Sequence, residues 1–327
     1  MTPTDPITCD IVLVGGGHSH VAVLKRFGMK PEPGVRLTLI TRDLLTPYSG
    51  MVPGYIADNY SEAEAHIDLR PLAAFANARV IHAAATGLDL ERNFVQVGGR
   101  PPVAFDFVSI DTGSTPSTAN IDGAEHGLPV KPIDRFLEAY HRLTNEIRGH
   151  DGPFHIAVAG GGAGGVELTL ALSHRLRSAA PSLDKAPADI RFAIVESEDT
   201  LLPGYNAAAR RKLTRALSDR GIDVHTGAKA ERITPDTLAL SNGEALTSHK
   251  TILVTSAGPP RWITDCDLAC DERGFIRVND QLRSPSHAQL FAAGDIASMD
   301  GHRLPKAGVY AVRQGPYLAD NLRRAAR

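Results

Sequence analysis

Gly15, Gly16 and Gly17 follow an apolar run, Ile11 to Val14, and lead into Val21, Val23, Leu24 and Phe27, spaced as on one helix face. A buried strand that drops into a tight turn and a helix start suits one kind of chemistry. Glycines let the backbone bend and approach a pyrophosphate closely, and the first-turn N–H groups of the helix donate to its phosphates. The helix dipole adds roughly 0.3–1 kcal/mol. Gly15 and Gly17 match the first two glycines of G-x-G-x-x-G, but His20 stands at the third, where a small residue ordinarily lets helix and strand pack. Alone, the stretch is also compatible with a ligand-free glycine turn of any α/β protein. A second copy shifts that balance: Phe154 to Leu172 reads F-H-I-A-V-A-G-G-G-A-G-G-V-E-L-T-L-A-L, with Gly160, Gly162 and Gly165 in full register. Two such loops predict two dinucleotide sites.

The partners of those loops lie at strand ends. In a dinucleotide fold the second strand closes on an acid that accepts from the ribose hydroxyls. After the first loop, the strand Val35 to Ile40 runs into Thr41-Arg42-Asp43, so the acid is absent or displaced by two residues. Arg42 is either a cover for an adenine or a phosphate, or a solvated loop residue. After the second loop, the strand Ile190 to Val195 ends in Glu196, beyond a polar, proline-containing linker at Ser178 to Asp189. A third stretch, Leu290 to Ile296 (L-F-A-A-G-D-I), offers Gly294 for close approach and Asp295 as an acceptor for a sugar or ribityl hydroxyl. The loop Leu304 to Gly308 then leads into a last helix, Val309 to Arg324, whose N-terminal dipole suits an anionic ring. Thr46 to Tyr55, with Pro47, Gly50, Pro53 and Gly54, is too broken for a long helix. It reads as a stiff loop at the sheet's carboxyl edge, facing a ligand or purely structural.

The elements that position these residues follow in order. Arg79 to Ala83 is a strand, Leu88 to Val97 a hairpin around Arg92-Asn93, and Phe105 to Ile110 a strand ending in Asp111-Thr112-Gly113-Ser114. Phe136, Leu137, Tyr140, Leu143 and Ile147 predict a helix over Pro132 to Ile147. Asn206 to Arg220 is a basic amphipathic helix whose Arg210, Arg211, Lys212 and Arg215 form a solvated face. Strands at Ile222 to His225 and Lys250 to Thr255 flank a hairpin. The 327 residues carry a net charge of −2, which gives no electrostatic case for nucleic acid or an anionic membrane. No apolar run approaches the roughly 20 residues of a membrane span. The N-terminus, M-T-P-T-D-P-I-T-C-D, has neither the basic region nor the apolar core of a signal peptide. Three cysteines, Cys9, Cys266 and Cys270, argue against a disulfide framework and for a cytoplasmic protein. No metal site is expected.

Four motifs in this order, G-x-G-x-x-H, Asp111-Thr112-Gly113, the second G-G-G-x-G-G-V-E and F-A-A-G-D, resemble the pyridine nucleotide-disulfide oxidoreductase superfamily over nearly the whole chain. Within it, G-G-G-H-S-H-V with T-P-Y-S-G-M-V-P-G-Y is most similar to the NADH dehydrogenase-like domain found alone or fused to selenide, water dikinase, and more distantly to type II NADH dehydrogenases. The resemblance implies an α/β fold of two Rossmann-like dinucleotide-binding domains, the second inserted in the first: residues 1–118 and 267–327 for FAD, 119–266 for NAD(P)H. It assigns Gly15, Gly17, Gly294 and Asp295 to FAD, and Gly160, Gly162, Gly165 and Glu196 to the nicotinamide cofactor. His18, Ser19, His20, Arg42, Pro47, Ser49, Ala85, Thr112, Gly113, Gly258, Lys306 and Ala307 complete the expected cofactor contacts.

The expected cofactors are FAD and NADH, with NADPH second. Glu167, on the first turn of the second loop's helix, Lys306 and Gln314, in an A-x-x-Q element, are the expected catalytic residues. Tyr48, Ser49 and Met51 join Lys306 and Gln314 in lining the acceptor's approach. No thiol stands where the disulfide reductases keep their redox pair, just after the second strand. The implied activity is electron transfer from NADH through FAD to a quinone or other small acceptor. Two alternatives stand beside it: reduction of a protein or of a selenium or sulfur compound, and a non-catalytic FAD-binding partner module. A homodimer is compatible. Peripheral membrane contact would need a segment beyond Arg327.

Overall fold

The computed structural model describes residues 6–117, 120–255 and 257–327. The readings on Met1 to Asp5 and on Ser256 lie outside them. The chain divides into two compact units, one of Met1–Tyr48, His66–Thr115 and Ala257–Arg327, the other of Ser49–Ala65 and Pro116–Ser256. Residues 257–266, expected with the inserted domain, group with the first unit, and residues 49–65, expected with the first, group with the second.

The first unit is built on a parallel sheet in the order Leu290–Ala292, Phe107–Ile110, Cys9–Val14, Val35–Thr41, Arg79–His82. Such strands are covered on both faces and so read as continuous apolar runs rather than alternating ones. Ile11, Val12, Leu13 and Val14 are accordingly at most 1% exposed. The strand carrying the first glycine loop is central, and Val14 pairs with Ile110 on one side and Ile40 on the other. Their register brings Asp111 and Thr41 to the level of Gly15, at the carboxyl edge. The hairpin expected at Leu88 to Val97 forms, from Ala85–Asp89 and Phe94–Val97, and a third strand, Arg100–Ala104, extends it. Phe105, expected to start a strand, instead precedes one that begins at Phe107.

The second unit repeats the plan with Leu128–Pro129, Lys250–Leu253, Phe154–Ala159, Ile190–Val195 and Ile222–His225, again all parallel. The helix Ile133–Gly149 buries Phe136, Leu137, Tyr140, Leu143 and Ile147, the residues whose spacing predicted it. The polar linker after the second loop's helix folds into two short 3-10 turns, Ala180–Leu183 and Pro187–Asp189. The basic helix Ala207–Ser218 buries only Leu217, as a solvated face requires. Among the described residues no helix is long and apolar enough to cross a membrane.

Candidate dinucleotide-binding sites

In the first unit the glycines answer to backbone geometry. Gly15 has φ +98, and a side-chain carbon there would stand 2.4 Å from the Asp111 carbonyl oxygen. The helix His18–Met29 starts immediately after, with Gly17 as its extended N-cap. Its second and third amides are already engaged: Ser19 and His20 N–H both donate to Asp111 Oδ2, at 2.8 and 3.1 Å. Asp111 is buried. Burial first, and the nearby Asp295 carboxylate after it, push its pKa up to about 7 against the lowering effect of those amides. Sequence reasoning passed over this residue as part of a motif. The signal was an acid directly after the strand that neighbours the glycine strand.

Two of the expected cofactor contacts, His20 and Ser19, have buried side chains with partners inside the protein. His20 is fully buried; its Nδ1 donates to the Gly15 carbonyl at 2.7 Å, which leaves Nε2 to accept from the Ser109 hydroxyl at 2.9 Å. It fills the place of the third glycine as a neutral packing residue, its pKa lowered to about 4 by burial. Ser19 is equally buried and donates its hydroxyl to the Ala311 carbonyl of the last helix, Gly308–Ala326.

Gln314, on the same helix, accepts the Gly294 N–H at 2.7 Å and so holds the Gly294-Asp295 turn. Lys306 donates to the Ala297 carbonyl at 2.6 Å and lies 3.8 Å from the centre of the Phe275 ring. Asp295 accepts from the Ser114 hydroxyl at 3.1 Å. Asp43, the displaced acid, pairs with Arg42 at 2.6 Å on the surface. Pro47 lies in the short strand Leu45–Pro47, Ala85 opens Ala85–Asp89, Ala307 caps the last helix, and the Gly258 carbonyl accepts from Thr115. Tyr48 meets the His18 ring edge-on at 4.9 Å.

In the second unit all three glycines of the motif have separate reasons. Gly160 has φ +121 and abuts the Val254 carbonyl, and a side-chain carbon on Gly165 would stand 1.8 Å from the Gly160 oxygen. At Gly162 nothing lies within 4 Å. That position, the N-cap of the helix Ala163–Ala179, faces open space. Glu196 is buried and accepts from Gly161 N–H at 2.7 Å, Ser197 hydroxyl at 2.9 Å and Glu198 N–H at 3.1 Å. It buttresses the loop as well as carrying the expected charge. Glu167 is exposed, but it is the fifth residue of that helix and stands in its second turn rather than the expected first, which carries no acid. Ser49 and Met51 belong to this unit rather than to the first. A small groove lined by Tyr55, Asp58, Tyr140, His141 and Arg175 opens near the helix's other end, its Arg175 and Asp58 paired at 3.1 Å.

The family model for pyridine nucleotide-disulphide oxidoreductases matches residues 9–315. The chain belongs to that family. It is 25% identical over 234 residues to the mitochondrial internal alternative NAD(P)H-ubiquinone oxidoreductase A1 of Arabidopsis thaliana, covering 67% of this chain and 46% of the relative. It is 26% identical to the demethylphylloquinone reductase NdbB of a Synechocystis strain, over 73% of this chain and 60% of that protein. The chain therefore spans about half the length of these curated relatives. Among solved structures, the sulfide:quinone oxidoreductase of Aquifex aeolicus superposes with a TM-score of 0.77 at 19% identity, covering 96% of this chain and 76% of the other. The NDH2 of Plasmodium falciparum superposes with a TM-score of 0.78 at 17% identity, covering 89% and 65%. These likenesses show the shared fold.

The family binds FAD and NAD(P)H, and the first unit of this chain fits a flavin dinucleotide. His18 Nε2 and Thr112 Oγ1 are buried beside the glycine loop with no hydrogen-bond partner among the described residues. Gly113, at φ +70, has open space where a side chain would begin. Buried polar atoms left without partners cost about 1–3 kcal/mol each, so a site that leaves two is built for a polar ligand.

Proposed function

We propose that this protein is an FAD-dependent NADH dehydrogenase that passes electrons to a quinone or another small acceptor without a redox disulfide. The observation that carries the reading is the pair of glycine loops in separate sheets, one with unpartnered polar atoms beside it and one open at Gly162. Bound FAD supplies the electron carrier between the nicotinamide and the acceptor. His18 and Thr112 would hold the flavin dinucleotide through the two atoms left unpartnered, and Asp295 its ribityl hydroxyls. Gln314 acts as a positioning residue for Asp295, through Gly294. Glu167 and Lys306 are the proposed groups at the reacting end. The G-G-G-H-S-H-V and T-P-Y-S-G-M-V-P-G-Y stretches support a place nearest the NADH dehydrogenase-like domains.

The thiols support an acceptor reduced without a cysteine relay. Burial raises Cys9 to about 11 and lifts Cys266 and Cys270 above the ordinary thiol range. A thiol held protonated is a poor nucleophile. The Arabidopsis relative is an NAD(P)H-ubiquinone oxidoreductase and the Synechocystis one a demethylphylloquinone reductase, which favours a quinone. Steady-state turnover of NADH is expected with a water-soluble short-chain quinone and not with a dithiol-forming disulfide. Faster disulfide turnover, or a reduced flavin that no quinone reoxidises, sinks the reading.

A preference for NADH over NADPH follows from Glu196. Its buried carboxylate would stand near the ribose, where a 2′-phosphate meets like charge. Flavin bleaching by NADH is expected to outpace bleaching by NADPH. Glu196→Gln should narrow the ratio by about tenfold, one charge contact being worth roughly 1.4 kcal/mol. It should also weaken both coenzymes, because an amide has a single oxygen to serve Gly161 and Glu198. Equal rates with the two coenzymes in the unaltered protein would refute the preference.

A further inference from the structure

We infer that Asp111 is a flavin-site residue that carries a proton in the loaded protein: its carboxyl group shares the start of the first helix with the dinucleotide's diphosphate, and one proton is taken up from solvent as FAD binds. The inference rests on the reading that the first glycine loop holds FAD.

The glycines of the first unit are arranged around this side chain. A side-chain carbon on Gly17 would stand 2.3 Å from the Asp111 carboxylate, and one on Gly294 would stand 2.6 Å from Asp111 Oδ1. Both segments expected to approach the flavin dinucleotide therefore close on the same carboxyl group. That group also takes the Ser19 and His20 amides, two of the donors a helix start offers to a phosphate.

Little around Asp111 can neutralise it. On the first helix, His20 has both ring nitrogens engaged, and burial lowers the pKa of His18 and so disfavours its charged form. On the turn at Gly294–Ile296 the facing group is a second acid, Asp295, which accepts from the Ser114 hydroxyl and whose charge raises Asp111. The last helix contributes Gln314, an amide. Thr112 brings a hydroxyl. No ion pair to Asp111 is formed among the described residues.

A bound diphosphate would add two negative charges to those of Asp111 and Asp295 at a helix end worth roughly half a positive charge. Like charges at close range favour the protonated form of one partner. Asp111 is the group already poised to accept, since burial holds it near neutrality. As a neutral acid it still accepts both amides through Oδ2 and gains an O–H to donate. The proton thus removes a repulsion without breaking a hydrogen bond.

Linkage makes this measurable. Below about pH 7 Asp111 is protonated before FAD arrives, so affinity is flat. Above it the proton must be taken up, and the dissociation constant rises toward about tenfold per pH unit. The full chain, stripped of flavin, would be titrated with FAD at about pH 6 to 8.5, in buffers of differing ionisation enthalpy, by calorimetry and flavin fluorescence. We expect that slope, uptake approaching one proton per FAD at the alkaline end, and a slope-free Asp111→Asn variant that binds as the unaltered protein does at low pH. A second readout is the protonated-carboxyl infrared band of the loaded protein, present in the unaltered chain and lost in Asp111→Asn. Flat affinity without proton uptake, or an unchanged slope in the variant, overturns the inference and leaves the flavoprotein reading standing. Failure to bind FAD at any pH overturns both.

Discussion

Replacing Gly162 by valine is expected to remove NADH binding at ordinary concentrations while leaving the melting temperature and the flavin untouched. Gly162 adopts φ −67 and ψ −179, extended backbone open to any residue. Apart from its own chain neighbours, nothing lies within 4 Å of the first side-chain carbon that valine would add. The substitution therefore costs the fold little, but it fills the space in front of the helix's first-turn amides. Losing about two charge-assisted hydrogen bonds, each roughly 1.5–3 kcal/mol, weakens binding by about a hundredfold or more. Gly165→Val, three residues on, should behave oppositely and fail to fold, because its added carbon would stand 1.8 Å from the Gly160 oxygen. Titration of NADH against each flavin-loaded variant, with a thermal melt alongside, separates the two cases. A Gly162→Val protein that binds NADH normally would show that the second loop is not the coenzyme site.

Asp111→Asn is expected to stabilise the flavin-free protein at alkaline pH. The folded-state pKa is raised from an unfolded value of 3.8 to about 7. Between those values the folded chain holds a proton that the unfolded chain has lost, so stability falls as pH rises from about 4 to 7 and stays low above it. At about 1.4 kcal/mol per unit this amounts to at most about 4 kcal/mol at pH 8, which asparagine restores while still accepting from Ser19 and His20. His20 works in the opposite direction. Its folded pKa, lowered from 6.5 to about 4, means that the unfolded state binds the extra proton across that window. Stability is therefore lost as pH falls from 6.5 to 4, by about 3 kcal/mol. In the unaltered protein the two effects offset each other on acidification. In Asp111→Asn the histidine loss should stand alone. Denaturant melts of both proteins at pH 4, 6 and 8 test this, and a variant no more stable at pH 8 than its parent contradicts it.

The parts of the fold legible in the sequence are those decided over a few neighbouring residues. Ile190–Val195 and Ile222–His225 form at the expected bounds, the first as a mostly apolar run and the second as a short alternation of β-branched and polar residues. The helix at Ile133–Gly149 follows from its own apolar spacing. The last helix extends the expectation only from Val309–Arg324 to Gly308–Ala326. Segment 49–65 was harder to place. It reads as part of the first domain because it follows that domain's second strand, yet Val52 and Ile56 bury themselves in the core of the other unit. Chain order does not say which core an apolar pair will join.

The two glycine loops and the acid after Val195 were determined by the sequence itself, because a turn with positive φ and a phosphate-approaching backbone demand particular residue types at particular spacings. What each side chain at those loops touches was decided only by tertiary structure. Asp111 meets Ser19 across 92 residues of chain, and Gln314 meets Gly294 because the last helix returns beside that turn. His20, which looked like a flaw in the motif, turns inward to Ser109 on the neighbouring strand. Partners of this kind are set by parallel register between distant strands. A one-residue shift in the register of the strand Phe107–Ile110 would have turned Ser109 and the Asp111 that follows it away from the helix residues they meet.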